Sequence, residues 1–324
     1  MENQFTNRLD LTELSKHITE VKQEIGKYVK GQHQMIDLLV IALLADGHVL
    51  IEGVPGVAKT LTAKLMARSI HASFKRIQFT PDLMPSDIIG TSMFNVKTSD
   101  FEFKRGPLFA NIILTDEINR SPAKTQAALF EAMEERQITV DGTTHKLEDP
   151  FMVLATQNPI EQEGTYRLPE AQLDRFLFKI AVGYPAIEDE TEMLTSFQNQ
   201  TNVIDFSKVK YSLTPEVLHQ LKILVSKVLV EENLIKYIAQ VVSSTRKNPN
   251  LYLGASPRAS IAILNAAKAS AAIQNRDFVT PDDIKYVAIP VMRHRVALTP
   301  EKEMEGISVD TVIQQLIDKI EVPR

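Results

Sequence analysis

The stretch GVPGVAKT, residues 53–60, follows directly on the apolar run HVLI and continues into TLTAKLMARSI. His48 to Ile51 reads as a short buried strand. In the segment after the turn, Ala63, Met66, Ala67 and Ile70 recur at i, i+3, i+4 and i+7, the spacing of one helical face. A strand, a glycine-bearing turn and a helix in that order form the context of a phosphate-binding loop. There the loop amides and the helix N-terminus converge on an anion, which the helix dipole favours. Lys59 would reach the β- and γ-phosphates, and Thr60 would offer its hydroxyl to Mg²⁺. Ala58 stands where the usual pattern has glycine; its methyl is small enough for close backbone approach if φ is negative there. Taken alone, the stretch also fits an ordinary Gly/Pro turn before a helix.

A phosphate loop needs a carboxylate for the metal, and NIILTDEINR supplies two. Ile112, Ile113 and Leu114 form the β-branched, apolar run of a buried parallel strand. Asp116 and Glu117 stand at its carboxyl end, where open α/β sheets bind ligands. Asp116 is suited to hold Mg²⁺ and Glu117 to accept a proton from an attacking water. A third apolar run, FMVLAT, ends in QNP, so Asn158 stands at another strand terminus, with Pro159 expected to stop the strand. Its amide could hold a water and touch a phosphate oxygen, or serve only as a turn residue.

The rest of the chain narrows the alternatives. Its 324 residues suggest two domains. The absence of cysteine excludes disulfides and thiolate metal sites. The seven histidines have no metal-ligand spacing, and isolated ones such as His145 read as surface or packing residues. With a net charge of −5 and dispersed Lys and Arg, no strong nucleic-acid surface is expected. No apolar stretch approaches the ~20 residues of a membrane span. MIDLLVIALLA comes nearest, but it is short, carries Asp37 and reads as a buried helix stopped by Gly47. MENQFTNRLD lacks a signal-peptide core, so a cytoplasmic location is the default expectation.

The pattern changes near VGYPAIEDE. Before it, the strand candidates HVLIE, FKRIQF, NIILTD, FMVLAT and FLFKIAV alternate with helices. After it, amphipathic helices dominate, and LTPEV, VTPDD and LTPEK each put Thr at N-cap, Pro at N1 and an acid in the first turn. Residues 1–182 therefore read as a parallel α/β domain and residues 183–324 as a helical one. Two hairpins interrupt the first part. RQITVDGTTHKLED turns at Asp141-Gly142, a type I′ signal. TSMFNVKTSDFEFKRG carries Phe94, Phe101 and Phe103, which are expected to pack unless the tip is exposed.

Together GVPGVAKT, TDEINRSPAKTQAALFEAMEE, ATQNPIEQEGTY and LPEAQLDRF resemble the MoxR family of AAA+ ATPases, and the resemblance extends to GASPRA and RHR. The family's own loop commonly has alanine at the position of Ala58, whereas Arg167 stands where proline is usual. The resemblance implies an AAA+ P-loop core followed by a helical lid, with ATP and Mg²⁺ bound between them. It makes Gly53, Val54, Pro55, Gly56, Val57, Ala58, Lys59, Thr60 and Leu61 the Walker A segment, with Thr60 on the metal. Asp116 and Glu117 become Walker B, Asn158 sensor 1, Arg175 an arginine finger for the neighbouring subunit, and Arg258 sensor 2. VKGQ, with Gly31 and Gln32, matches the adenine pocket. The two hairpins look like the pre-sensor-1 and helix-2 inserts of this clade.

The same resemblance implies a homo-oligomeric ring, a hexamer, that remodels or matures a client protein or cofactor enzyme, often with a von Willebrand factor A domain partner. For Arg258 the residues give partial support: Ser256 and Pro257 look like N-cap and N1, and a cation in the first helical turn opposes the macrodipole unless an anion is near. Two other functions stay open on sequence: a related motor for nucleic acid or metal chelation, and a scaffold that binds ATP without turnover. TVDGTTHK, with one lysine and no aromatic, is poor equipment for gripping a strand. The intact Asp116-Glu117 pair argues against the scaffold.

Overall fold

The structure, a computed structural model, describes residues 9–158, 166, 168–199 and 205–323. Two helices open it, α1 (Thr12–Gly26) and α2 (His33–Leu44), followed by β1 (His48–Gly53), α3 (Lys59–Ser69), β2 (Phe74–Gln78) and α4 (Pro85–Ile89). A hairpin of β3 (Gly90–Asn95) and β4 (Asp100–Arg105) leads to β5 (Ile112–Asp116) and α5 (Ala123–Glu135). A second hairpin, β6 (Gln137–Val140) and β7 (Thr143–Lys146), precedes β8 (Met152–Gln157), the single turn α6 (Glu170–Leu173) and β9 (Phe176–Val182). The remainder is largely helical: α7 (Ile187–Asn199), α8 (Pro215–Ser226), α9 (Glu232–Thr245), β10 (Leu251–Leu253), α10 (Pro257–Ile273), α11 (Pro281–Met292), β11 (Ala297–Leu298), α12 (Pro300–Met304) and α13 (Val309–Lys319). All five expected strands form.

Those five make one parallel sheet in the order β2-β5-β8-β1-β9. Alternate side chains sort to its two faces, as the strand period of two requires. Val49, Ile51, Ile112, Leu114, Phe178 and Ile180 join one core, which runs on through α1, α2 and α3 into the C-terminal helices. Leu50, Ile113, Val153 and Phe176 join the other, closed by α4 and α5. Burial on both faces explains why β1, β5 and β8 read as near-continuous apolar runs, whereas the edge strand β2 is largely exposed. Leu38 to Leu44 of α2 are buried in succession, and no described helix is long and apolar enough to cross a membrane.

The turn after α2 differs from expectation. Asp46, at φ 55°, takes the left-handed position, and the Gly47 amide donates to the Ala42 carbonyl at 2.8 Å. Gly47 is required for space instead: a Cβ there would lie 2.5 Å from Leu177. The caps of the C-terminal helices form at Thr214, Thr280 and Thr299, each before a proline. Thr280 also exchanges hydrogen bonds with Asp283, whereas Thr299 makes no side-chain cap bond.

Both hairpins form, and Asp141 and Gly142 have the positive φ of a type I′ turn (49° and 77°). Phe103 stacks on His145 at 4.7 Å, so packing accounts for both. Phe94 and Phe101 face each other at 5.3 Å but are 53% and 69% exposed, beside Val96 at the tip. Packing into a core does not account for that pair.

Candidate functional site

At the carboxyl end of the sheet the chain leaves β1 through Gly53, where a Cβ would meet the Val182 carbonyl at 2.6 Å. Gly56 and Ala58 then both turn left-handed, at φ 89° and 59°. The expected negative φ at Ala58 is not found. Curling the loop so that its amides converge imposes the left-handed well, at roughly 1–2 kcal/mol for a residue with a Cβ. Lys59 opens α3, and its Nζ donates to the Gly53 carbonyl at 2.6 Å across the loop. Burial lowers the pKa of this ammonium from its usual value, and the nearby Asp116 and Glu117 carboxylates act against that.

β5, buried along its whole length, delivers Asp116 to the same end. Asp116 accepts from Thr156 Oγ1 (3.0 Å) and from Arg76 Nε (2.6 Å). Glu117 follows in a left-handed conformation at φ 57°, its amide donating to Thr156 Oγ1 at 3.1 Å. Its carboxylate accepts from Gln78 Nε2 (2.9 Å) and pairs with Arg120 (3.0 Å). The turn at Glu117 thus aims the two carboxylates differently, one toward Arg76 and one toward Gln78.

These groups share one cleft of about 420 Å³, within the range of small-molecule sites. Pro55, Gly56, Ala58, Lys59, Thr60 and Leu61 line it, together with Asp116, Glu117 and Asn158. Arg76, Gln78 and Thr156 complete it and were not singled out from sequence. The only sequence signal for the first two is a pair of polar residues two apart in FKRIQF, which any solvated strand face would also show. Val54 and Val57 pack into the core and Gly53 sets the backbone approach, so these three support the loop. Gly31, at φ 71°, and Gln32 stand where α2 meets the chain leaving β9, with Gln32 Nε2 donating to the Gly183 carbonyl at 3.1 Å. Pro159 and Arg167 lie outside the described residues.

Arg175 and Arg258 are at the other end of the sheet. Arg175 precedes β9, whose first residue pairs with His48 at the start of β1. A strand of this length separates the two ends by roughly 17–20 Å. No single arginine side chain crosses that distance, so neither residue meets its own chain's phosphate loop. Arg175 Nη1 donates to the Phe130 carbonyl (2.6 Å), with Nε 3.8 Å from Glu134 Oε2, while Arg258 Nη2 donates to Glu134 Oε1 (3.0 Å). Ser256 caps α10 as expected, so the anion near Arg258 is Glu134.

The described residues hold no cluster of three or more His, Asp or Glu able to bind a metal. Mg²⁺ takes hard oxygen donors and keeps several waters, and one carboxylate with a phosphate-bound nucleotide suffices. Asp116 and the Thr60 hydroxyl, both on the cleft, fit that need.

Known proteins resemble this chain over nearly its whole length. Residues 48–178 match the ATPase family associated with various cellular activities (AAA), and residues 243–316 match the AAA lid domain. Chaperone MoxR1 of Mycobacterium tuberculosis is 43% identical over 93% of this chain and 81% of its own length. The uncharacterized protein YeaC of Bacillus subtilis is 47% identical over 93% of both chains. A crystal structure of a candidate ATPase from Cytophaga hutchinsonii superposes with a TM-score of 0.88 at 44% identity, covering 96% of each chain. With its phosphate loop, its paired carboxylates, its lid and these relatives, the chain belongs to the MoxR family of AAA+ ATPases.

Proposed function

We propose that the cleft at the carboxyl end binds Mg·ATP, that a neighbouring subunit's arginines complete it, and that hydrolysis drives remodelling or maturation of a client protein. The observation that carries the reading is the division of the machinery between the two ends of the sheet. Lys59 and the loop amides would hold the phosphates, with Thr60 and Asp116 on the metal. A Mg²⁺ ion held by Thr60 and Asp116 would supply positive charge against the charge that develops in phosphoryl transfer. Glu117 would take a proton from the attacking water, Asn158 would orient that water, and Gly31 and Gln32 would border the base. Arg175 and Arg258, out of reach of their own loop, would serve the next subunit, an arrangement phosphoryl transfer uses elsewhere.

A head-to-tail contact of this kind closes into a ring when the rotation between neighbours allows it, and a hexamer is the size proposed. Residues 1–182 would be the nucleotide-binding core and residues 183–324 the lid. The exposed Phe94 and Phe101 are candidates for client contact, and a partner with a von Willebrand factor A domain and a cytoplasmic site of action complete the proposal. The name of the mycobacterial relative, a chaperone, supports the client role.

Mixed rings test it. Arg175→Ala should bind ATP yet hydrolyse it ~10³–10⁵-fold more slowly. Glu117→Gln should bind ATP and lose ~10²–10⁴-fold in turnover. With subunit exchange confirmed, an Arg175→Ala subunit beside a Glu117→Gln neighbour regains one complete site, so the mixture should recover phosphate release that neither variant shows alone. A wild-type rate for Arg175→Ala would remove the finger assignment.

A further inference from the structure

β9 is the outer strand of the sheet, so carbonyls on its free side need donors from outside the ladder. They receive them from Arg293, His294 and Arg295, at the end of α11. Arg293 Nη1 donates to the Lys179 carbonyl (3.2 Å) and His294 Nε2 to that of Phe176 (2.9 Å). Arg295 commits all five of its N–H donors. Nη1 reaches the carbonyls of Leu177 and Val291, Nη2 those of Asp174 and Phe176, and Nε the Asp174 carboxylate at 2.6 Å. Its side chain is 4% exposed.

Asp174 is a junction. One carboxylate oxygen takes Arg295; the other accepts from Ser256 Oγ at 3.0 Å. Ser256 in turn caps α10 by accepting from the Arg258 amide at 3.2 Å. The residue before Arg175 is therefore bound to the cap two residues before Arg258, and through Asp174 that pair is tied to one buried guanidinium.

A buried ion pair is a weak source of stability compared with apolar packing of the same volume. What a planar fork of five fixed donors adds is orientation. We infer that Asp174 and Arg295 are positioning residues that hold Arg175 and Arg258 in fixed register, so that the two arginines reach the next subunit's nucleotide as one unit. The inference rests on the proposed action in trans. It gives the RHR segment a task beyond covering a strand edge, because every donor from Arg295 except one lands on residues 174–177. It also ties finger geometry to the lid, since Ser256 caps α10 and Arg295 follows the end of α11.

The test is complementation in full-length rings with confirmed subunit exchange. Misplacement by about 1 Å can cost on the order of 10²-fold in rate. Asp174→Asn should lose turnover on that order while its ATP affinity, measured by calorimetry, stays unchanged. Mixed with Glu117→Gln it should recover activity, because its own cleft is intact and it can accept the neighbour's arginines. Mixed with Arg175→Ala it should not recover, because both variants fail as donors. Ser256→Ala, which removes the half-buried α10 cap at a modest cost in stability, should show the same pattern more weakly if Asp174→Asn proves poorly folded.

Recovery with Arg175→Ala would overturn the inference, as would a loss of ATP affinity parallel to the loss of turnover. A dead Arg175→Ala beside a fully active Asp174→Asn would overturn it while leaving the finger assignment standing. A fully active Arg175→Ala would instead remove the reading beneath it.

Discussion

The two ends of the five-stranded sheet carry complementary chemistry. At the carboxyl end, Lys59, Thr60, Asp116 and Glu117 face an open cleft. At the amino end, Arg175, Arg258 and Arg295 are engaged by Glu134, Asp174 and main-chain carbonyls. The first set has groups suited to hold and cleave a phosphate; the second has the fixed cations that such a reaction needs in its transition state. Because a rigid parallel sheet stands between them, one subunit cannot join its own two halves. Under the proposed reading, the catalytic unit is the assembly and not the single chain.

The sharpest way to break this comparison is Lys59→Ala. If the carboxyl end alone binds nucleotide, removing the ammonium should weaken ATP binding by about 2–5 kcal/mol, the range for truncating one partner of a buried charge pair. Arg258→Ala should leave the affinity of a subunit's own cleft unchanged. Calorimetry on both variants decides it, and equal affinity losses would mean that the two ends are not separate sites.

A second measurement sharpens the comparison through pH. Both strongly shifted histidines stand at the amino end. Burial, with Arg136 nearby, holds His48 down to about 3, while its Nδ1 accepts from the Val153 amide at 3.0 Å and its Nε2 lies 3.2 Å from the Met133 carbonyl. Burial next to Arg295 likewise pushes His294 well below its ordinary value. Their folded pKa values lie below the unfolded one, so the stability they contribute is full above about 6.5 and is lost as pH falls toward the folded values. By pH 5.5 His48 should account for roughly 1 kcal/mol of lost stability, with His294 acting in the same direction. Denaturation midpoints at pH 7.5 and 5.5 should diverge less in His48→Gln than in the wild type; an unchanged difference would show that His48 is not buried neutral.

The smallest effect belongs to the loop. Ala58→Gly relieves a left-handed Cβ but gives up more chain entropy on folding, so the net stabilisation should be below about 1 kcal/mol. Melting of the nucleotide-free protein measures it. A clear destabilisation would mean that Ala58 does not occupy the left-handed well.

Much of the carboxyl end was legible because its pieces are local. A strand period of two, a glycine turn and a helix period identify GVPGVAKT in one stretch, and a buried run ending in Asp116-Glu117 identifies the second piece. The amino end is assembled from residues 134, 174, 175, 256, 258 and 295, which lie in separate stretches that no local pattern joins. Sequence resemblance suggested roles for Arg175 and Arg258 but not their shared partner Glu134, nor the five bonds of Arg295. Arg76 and Gln78 went unnoticed for the same reason: their carboxylate partners lie about forty positions away, on an adjacent strand.

Local patterns in the chain were enough for the five strands, the two hairpins, the capped helices of the C-terminal part and the residue types on each turn. These follow from local steric and hydrophobic patterns that a short segment carries complete. Only the tertiary structure decided that Ala58 turns left-handed, that Phe103 packs while Phe94 and Phe101 stay exposed, and that Arg175 and Arg258 gather at the end of the sheet opposite Lys59. Each of these depends on strand order and direction, which are fixed when distant segments bury their apolar faces against one another. A periodic pattern states which residues go inside; it does not state which end of the sheet they will face.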